Sequence, residues 1–329
     1  MVGENTLNIN EIRNAARRNA GHVRRTPLLT SPFLDEIAGR QVYVKPECLQ
    51  HTGSFKYRGA HNAISQLTTE QREFGVIAFS SGNHAQGIAL AARQNQTPAT
   101  IVMPSDAPQL KIDNTRALGA EVVLYDRESG DRDAIGAALA EERQLTLIKP
   151  FDNEAVIAGQ GTIGLELANQ AREEGIRNAQ VLVPCGGGGL TAGVALALEH
   201  DAPDLTVHPV EPTGFDDVAR SLHSDRIEAN AQRTGSICDA IITPSPGQLT
   251  FPIMRRLCGA GIVVPDEDCL RAMAQAFTRL KLVIEPGGAI ALAAALFHRH
   301  QIKGDAVIVV VSGGNVDAPV FTDALNRFA

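Results

Sequence analysis

The chain has 329 residues, 44% of them hydrophobic but only 4% aromatic, with no Trp, 30 Gly and 17 Pro; 30 basic against 37 acidic side chains give a formal net charge of -7. Periodic apolar runs, with glycines in no short repeat, exclude collagen-like and disordered chains, and at roughly 150 residues per domain the length suits two domains. The acidic balance argues against a nucleic-acid partner, no run approaches the ~20 apolar residues of a membrane span, and no signal or transit segment opens the chain, so the expected setting is cytoplasmic.

Short runs rich in β-branched residues alternate with longer segments of helical period, the pattern of crossover units on parallel sheets. In chain order the pattern predicts a helix over 9–20, carrying part of a basic stretch read as a solvated face, then a strand over 42–45 and a helix over 57–66. Strands at 76–80, 99–103, 121–125 and 146–149 alternate with helices at 84–95, 109–118, 132–143 and 155–174. Strands at 180–184, 206–210 and 306–311 and helices at 190–199, 266–280, 288–300 and the C-terminus complete the chain. The five cysteines are odd in number, scattered and without CxxC spacing, so neither a disulfide framework nor a zinc site is expected.

Three glycine clusters follow apolar strands: Ser81-Gly82-Asn83-His84, then Gly186, Gly187, Gly188 and Gly189, then Gly313-Gly314-Asn315. Open parallel sheets bind ligands beyond the carboxyl ends of their strands, so these three loops can share one cleft. Four consecutive glycines let successive amides turn toward one point ahead of a helix N-terminus, which makes a phosphate cradle. A tight strand-to-helix turn is the plainer reading, but a run of four costs folding entropy and favours a ligand. No Gly-Lys-Ser/Thr ends the run, and the acidic residue of a nicotinamide-dinucleotide site is missing. In Thr52-Gly53-Ser54-Phe55-Lys56-Tyr57-Arg58-Gly59-Ala60, a lysine stands beside aromatics where a helix opens. A lone lysine is usually a surface charge; next to a phosphate cradle it becomes a candidate Schiff-base former.

Gly53-Ser54-Phe55-Lys56-Tyr57-Arg58-Gly59-Ala60, Ser80-Ser81-Gly82-Asn83-His84-Ala85-Gln86-Gly87, the 186–189 run and Ser312-Gly313-Gly314-Asn315 stand in the order seen in pyridoxal-phosphate enzymes of the serine/threonine dehydratase and serine racemase family. The resemblance continues through 150–164, 211–217 and Glu285-Pro286-Gly287-Gly288-Ala289, covering nearly the whole chain. It implies an α/β protein of the tryptophan-synthase-β type (fold type II), with two open, twisted, mainly parallel sheet domains. Residues 1–52 plus 150–329 would form the large cofactor-binding domain and 53–149 the small one. A homodimer is implied as well.

By motif position, Lys56 resembles the lysine that the family joins to its cofactor, with Phe55 near the ring, Asn83 on the ring hydroxyl, Gly186 to Gly189 on the phosphate and Ser312 facing the pyridine nitrogen. A serine rather than a carboxylate there leaves that nitrogen unprotonated, which suits β-elimination. Ser80, Ser81, Gly82 and Asn83 would grip a substrate carboxylate at a helix N-terminus, although the serines could equally cap that helix. Ser81 matches the second acid/base of the family's racemases. Arg132 aligns with an arginine that approaches dicarboxylate ligands, its plainer reading being a solvated helix-start charge. Glu211, the Phe215 carbonyl and Asp217 resemble the family's cation loop, an oxygen-only set suited to Mg or Ca; acidic capping of the next helix is the alternative.

The implied function is a pyridoxal 5'-phosphate-dependent ammonia-lyase acting on a small β-hydroxy amino acid, L-threonine or L-serine by default. The alternatives are a serine racemase with dehydratase activity, a 3-hydroxyaspartate dehydratase and, outside enzymes, a ligand-sensing relic of the fold, against which intact Lys56 argues. Residues 239–251 depart from the racemases, with Pro244 and Pro246 where those have serines, so no substrate-binding role is carried to Thr243 or Ser245. His84 is read as structural, and no appended regulatory domain is expected after Ala329.

Overall fold

The computed structural model describes residues 7–80, 82–107, 109–126 and 132–329, with the side chains of Leu110, Arg132 and Asp133 outside that set. Within it the chain runs α1 (Ile9–Asn19), α2 (Pro32–Ala38), β1 (Gln41–Pro46), α3 (Lys56–Ser65), α4 (Thr69–Phe74), β2 (Val76–Phe79), α5 (Asn83–Gln94), β3 (Ala99–Pro104), α6 (Gln109–Ala117), β4 (Glu121–Tyr125), α7 (Arg132–Arg143) and β5 (Thr146–Leu147). It continues with α8 (Glu154–Glu173), β6 (Gln180–Pro184), α9 (Gly189–Asp201), β7 (Thr206–Pro212), α10 (Asp217–Ser224), α11 (Thr250–Leu257), β8 (Ile262–Val264), α12 (Asp266–Gln275), α13 (Pro286–Phe297), β9 (Ala306–Val311) and α14 (Ala318–Phe328).

Every strand and helix expected from the sequence is present. Those not anticipated are short: β8 has three residues, and α2, α4, α10 and α11 have six to eight. One of them carried a readable signal, since Thr68 and Gln71 form a reciprocal capping box at the start of α4. The helix expected over 266–280 is α-helical only to Gln275 and ends in a π-helical turn over Ala276–Leu280.

All strand pairs in both sheets are parallel. The larger sheet has the order β1-β9-β6-β7-β8, joining the first and last strands of the chain, and the smaller has β4-β3-β2-β5. Burial on both faces explains the dense apolar runs. In β9, Val307, Val309 and Val311 enter the core beneath α2, α12, α13 and α14, whereas Ile308 and Val310 enter the core beneath α8 and α9. A separate core under α3 and α5 covers the smaller sheet. Among the described residues no helix is long and apolar enough to cross a membrane, and all five cysteines are free thiols.

Two sets of contacts position the start of α3. The segment leading into this helix is stitched to the loop after β9: Phe55 N donates to Ser312 O (3.1 Å) and Gly314 N to Gly53 O (2.9 Å). Behind α3, Arg58 meets Glu47 and Glu166 in a buried ionic cluster, where Lys45 also donates to Glu166 (2.5 Å), Thr26 O (2.8 Å) and Gln170 (3.0 Å).

Candidate active site

The loops at the carboxyl ends of β2, β6 and β9 converge on one pocket of about 520 Å³, counting its solvent-open mouth. Phe55, Lys56, Asn83, the 186–189 loop and Ser312 all line it, though up to 257 residues separate them in sequence (312 minus 55). Lys56 is the first residue of α3, and its Nζ donates to Pro150 O at 3.1 Å and lies 5.2 Å from the Phe55 ring centroid. Burial pulls the Lys56 amine down to about 8, against an opposing pull from Glu285, so about one amine in ten is uncharged at pH 7, far more than for an ordinary lysine.

Opposite this amine, β6 runs into α9. Gly188 takes a left-handed φ of 89° that an L side chain rarely adopts, and it turns the chain into the helix. The Gly187 carbonyl is drawn aside by the Thr250 hydroxyl (2.6 Å) and Gly247 N–H (3.1 Å). The first turn of α9 therefore presents N–H groups that have no helical acceptor. Thr191 lines the pocket in that turn, and its buried hydroxyl, close to the Cys185 thiol, has no hydrogen-bond partner among the described residues.

A family model described as pyridoxal-phosphate dependent enzyme matches residues 20–314. The chain belongs to the pyridoxal-phosphate dependent enzymes. It is 45% identical, over 94% of its own length and 96% of the relative's, to an L-threo-3-hydroxyaspartate ammonia-lyase of a Pseudomonas species. Maize serine racemase superposes with a TM-score of 0.89 at 37% identity, covering 98% of this chain and 97% of that one. A threonine deaminase of T.th. does so with a TM-score of 0.89 at 44% identity, covering 94% and 99%.

The pocket fits the cofactor of this family. A phosphate has the α9 N-terminus and the orphaned Thr191 hydroxyl to receive it, and an aldehyde has an amine of lowered basicity. Position 312 carries a serine and not a carboxylate, and it is 3% exposed.

The remaining expected residues fall elsewhere or just outside. Ser80 and Gly82 adjoin the pocket without lining it; the Ser80 hydroxyl accepts from Gly82 N (3.2 Å) and shapes the turn, so it does not cap α5, which begins at Asn83. Ser81 lies outside the described residues, as does the side chain of Arg132. His84 is buried with Nε2 against Ile148 O (2.9 Å), and burial, with Lys56 nearby, pushes its imidazole down to about 3, so it is neutral.

At the candidate cation loop, Glu211 accepts from the N–H groups of Val218 (2.9 Å) and Ala219 (2.7 Å), so the capping alternative is realised. Asp217 Oδ1 accepts from Asn230 (2.6 Å), but its buried Oδ2 has no partner. Burial pushes both carboxyls up, Asp217 to about 6, and the charge of Asp217 adds to the rise at Glu211. Such an electron-rich, under-neutralised pair suits a hard cation. Among the described residues no three His, Cys, Asp or Glu side chains converge, so further ligands would be backbone carbonyls such as that of Phe215, or water.

Among the lining residues to which the sequence assigned no role, three have polar side chains: Thr191, Thr243 and Glu285. Thr243 has a buried hydroxyl without a partner, on the segment whose prolines set it apart from the racemases. Glu285 stood in a recognised motif without a role, and burial raises its carboxyl to about 7.

Proposed function

We propose that this chain is a pyridoxal-phosphate-dependent ammonia-lyase that converts a small β-hydroxy amino acid to a 2-oxo acid and ammonia. The observation that carries the reading is the Lys56 amine, of lowered basicity, in one pocket with the α9 N-terminus and Asn83. When bound, the cofactor supplies an electron sink that acidifies the α-hydrogen of an amino acid.

The chain's residues would do the rest. The N–H groups of the 186–189 loop and α9 hold the phosphate, assisted by the Thr191 hydroxyl. Phe55 would pack near the ring, and Asn83 would meet its hydroxyl. Ser312 would offer the ring nitrogen of a bound cofactor a hydroxyl and no anion, an arrangement that suits β-elimination. The N-terminus of α5, with Ser80, Gly82 and Asn83, binds the substrate carboxylate, and the Thr243 hydroxyl is a further polar contact. Lys56 as free amine takes the α-proton; the β-hydroxyl takes up a proton in exchange and leaves as water, and hydrolysis of the released enamine yields the 2-oxo acid and ammonia.

L-Serine and L-threonine are the default substrates. A second reading, L-threo-3-hydroxyaspartate, is favoured by the 45% identity to the Pseudomonas relative. We also propose a divalent cation, Mg or Ca, at Glu211, Phe215 O and Asp217, residues 53–149 as the smaller domain, and a homodimer.

The test is oxo-acid and ammonia release from serine, threonine and both 3-hydroxyaspartate diastereomers, with chiral analysis of the remaining substrate. Release of both products together supports the lyase, and the fastest substrate names the class. Racemised substrate without oxo acid would make the chain a racemase instead. Purified protein that is colourless, with no borohydride-trapped adduct at Lys56, would remove the cofactor reading altogether.

A further inference from the structure

The two ends of an Asn amide have nearly the same shape but opposite hydrogen-bonding character, so what Asn83 offers the pocket depends on what orients it. Here the orientation follows from an unambiguous anchor. The Thr52 backbone carbonyl can only accept, so the Asn315 atom 2.8 Å from it is the amide nitrogen. The second hydrogen of that nitrogen goes to the Asn83 oxygen, 2.7 Å away. The Asn83 nitrogen then donates one hydrogen to Glu285 Oε1 at 2.6 Å. Its second N–H is what the amide has left for the pocket it lines.

The close approach of Glu285 depends on Gly313, where a Cβ would overlap the Glu285 carboxyl and crowd the Asn83 nitrogen. Glu285 N–H also donates to Gly313 O (3.1 Å), which fixes the acid to the loop after β9. The charged groups around Glu285 are Lys56 at the start of α3, Lys111 on α6 and Asp239 ahead of α11. The carboxyl accepts from Asn83 in either protonation state, because a protonated carboxyl keeps its carbonyl oxygen.

We propose that Glu285 and Asn315 are positioning residues that hold the Asn83 amide in one orientation, so that the pocket meets an N–H donor and an acceptor oxygen on the bound ring is kept ionised. The inference rests on the proposed cofactor reading, since the ring hydroxyl of pyridoxal phosphate is such an oxygen. A donor favours the anion because the hydrogen bond to a charged acceptor is the stronger one.

The experiment is a pH titration of the visible spectrum of the holoenzyme, following the long-wavelength band of the ionised ring hydroxyl against the near-ultraviolet band of the neutral form. Glu285→Leu and Asn315→Asp should each lower the ionised-to-neutral ratio about tenfold, a midpoint shift of about one pH unit. Glu285→Gln keeps the acceptor and should keep the wild-type ratio. Asn83→Ala should shift it as far as Glu285→Leu does, and the double variant no further, because Glu285 acts only through Asn83. Additive shifts, or wild-type ratios in both Glu285→Leu and Asn315→Asp, overturn the proposal. If either of these variants fails to fold, Asn315→Ala is read by the same criterion. A wild-type protein with neither band defeats the cofactor reading rather than this one.

Discussion

Arg58 and Glu47 are joined by two N–H···O bonds of 2.8 Å, Nε to Oε2 and Nη2 to Oε1, with both side chains 0% exposed. The other edge of the same guanidinium reaches Glu166 on α8 at 2.7 and 3.1 Å. Arg58 lies two residues beyond Lys56, so this cluster ties the start of α3 to β1's exit and to α8. Removing one partner of a buried pair leaves a charge without compensation. Arg58→Ala should therefore lose about 3–5 kcal/mol of unfolding free energy, read from urea denaturation.

Burial pushes the Glu47 carboxyl up, but the charge and hydrogen bonds of Arg58, with Lys45 and Thr26, outweigh it and hold the group below its ordinary 4.5. A carboxyl depressed in the folded state contributes stability above its unfolded value and loses it as pH falls through the folded one. The melting temperature should thus begin to drop as pH falls below about 4.5. Glu47→Gln, less stable at neutral pH, should show a shallower acid dependence; equal slopes would refute the assignment.

Lys56 should titrate near 8 in protein stripped of its cofactor. Below that pH the amine is protonated and unreactive, so labelling by a small amine-reactive reagent should rise about tenfold per pH unit and then level off. Glu285→Gln removes the negative charge that opposes burial and should move the midpoint lower. A midpoint near the ordinary 10.5 would show that the pocket does not desolvate the amine.

Gly188→Ala combines a left-handed backbone with a Cβ driven toward Met254 and Thr250. The backbone cost alone is about 1–2 kcal/mol. Because the loop forms the cradle, cofactor affinity should fall at least about tenfold, measured by titrating the apoprotein and following absorbance. Unchanged affinity would mean that the phosphate is held elsewhere.

Magnesium or calcium should raise the melting temperature, with a gain of about 2.7 kcal/mol at one hundred times the dissociation constant. Asp217→Asn should abolish that rise, since the orphaned Oδ2 is the ligand oxygen the cation would need. A rise of equal size in the variant would remove Asp217 from the site.

Much of the fold was legible because parallel strands buried on both faces must be apolar throughout, and β9 reads Ala-Val-Ile-Val-Val-Val. What escaped was short. β8 has three residues, fewer than any periodicity needs, and α10 and α11 have eight each among irregular segments. Within the pocket, glycine clusters and the lysine motif stood out because bare backbone and an amine beside aromatics are unusual locally. Thr191 and Thr243 did not, since a buried hydroxyl without a partner looks like any other until its surroundings are packed, and neither did Glu285, whose partner Asn83 is 202 residues away.

By itself, then, the sequence determined the alternation of elements, the family and the loops that end at the cleft, all of which depend on residues close together in the chain. Tertiary structure alone decided the orientation of the Asn83 amide, because its two partners lie 202 and 232 residues away. It also decided the lowered basicity of Lys56, because desolvation belongs to the assembled walls and not to the lysine.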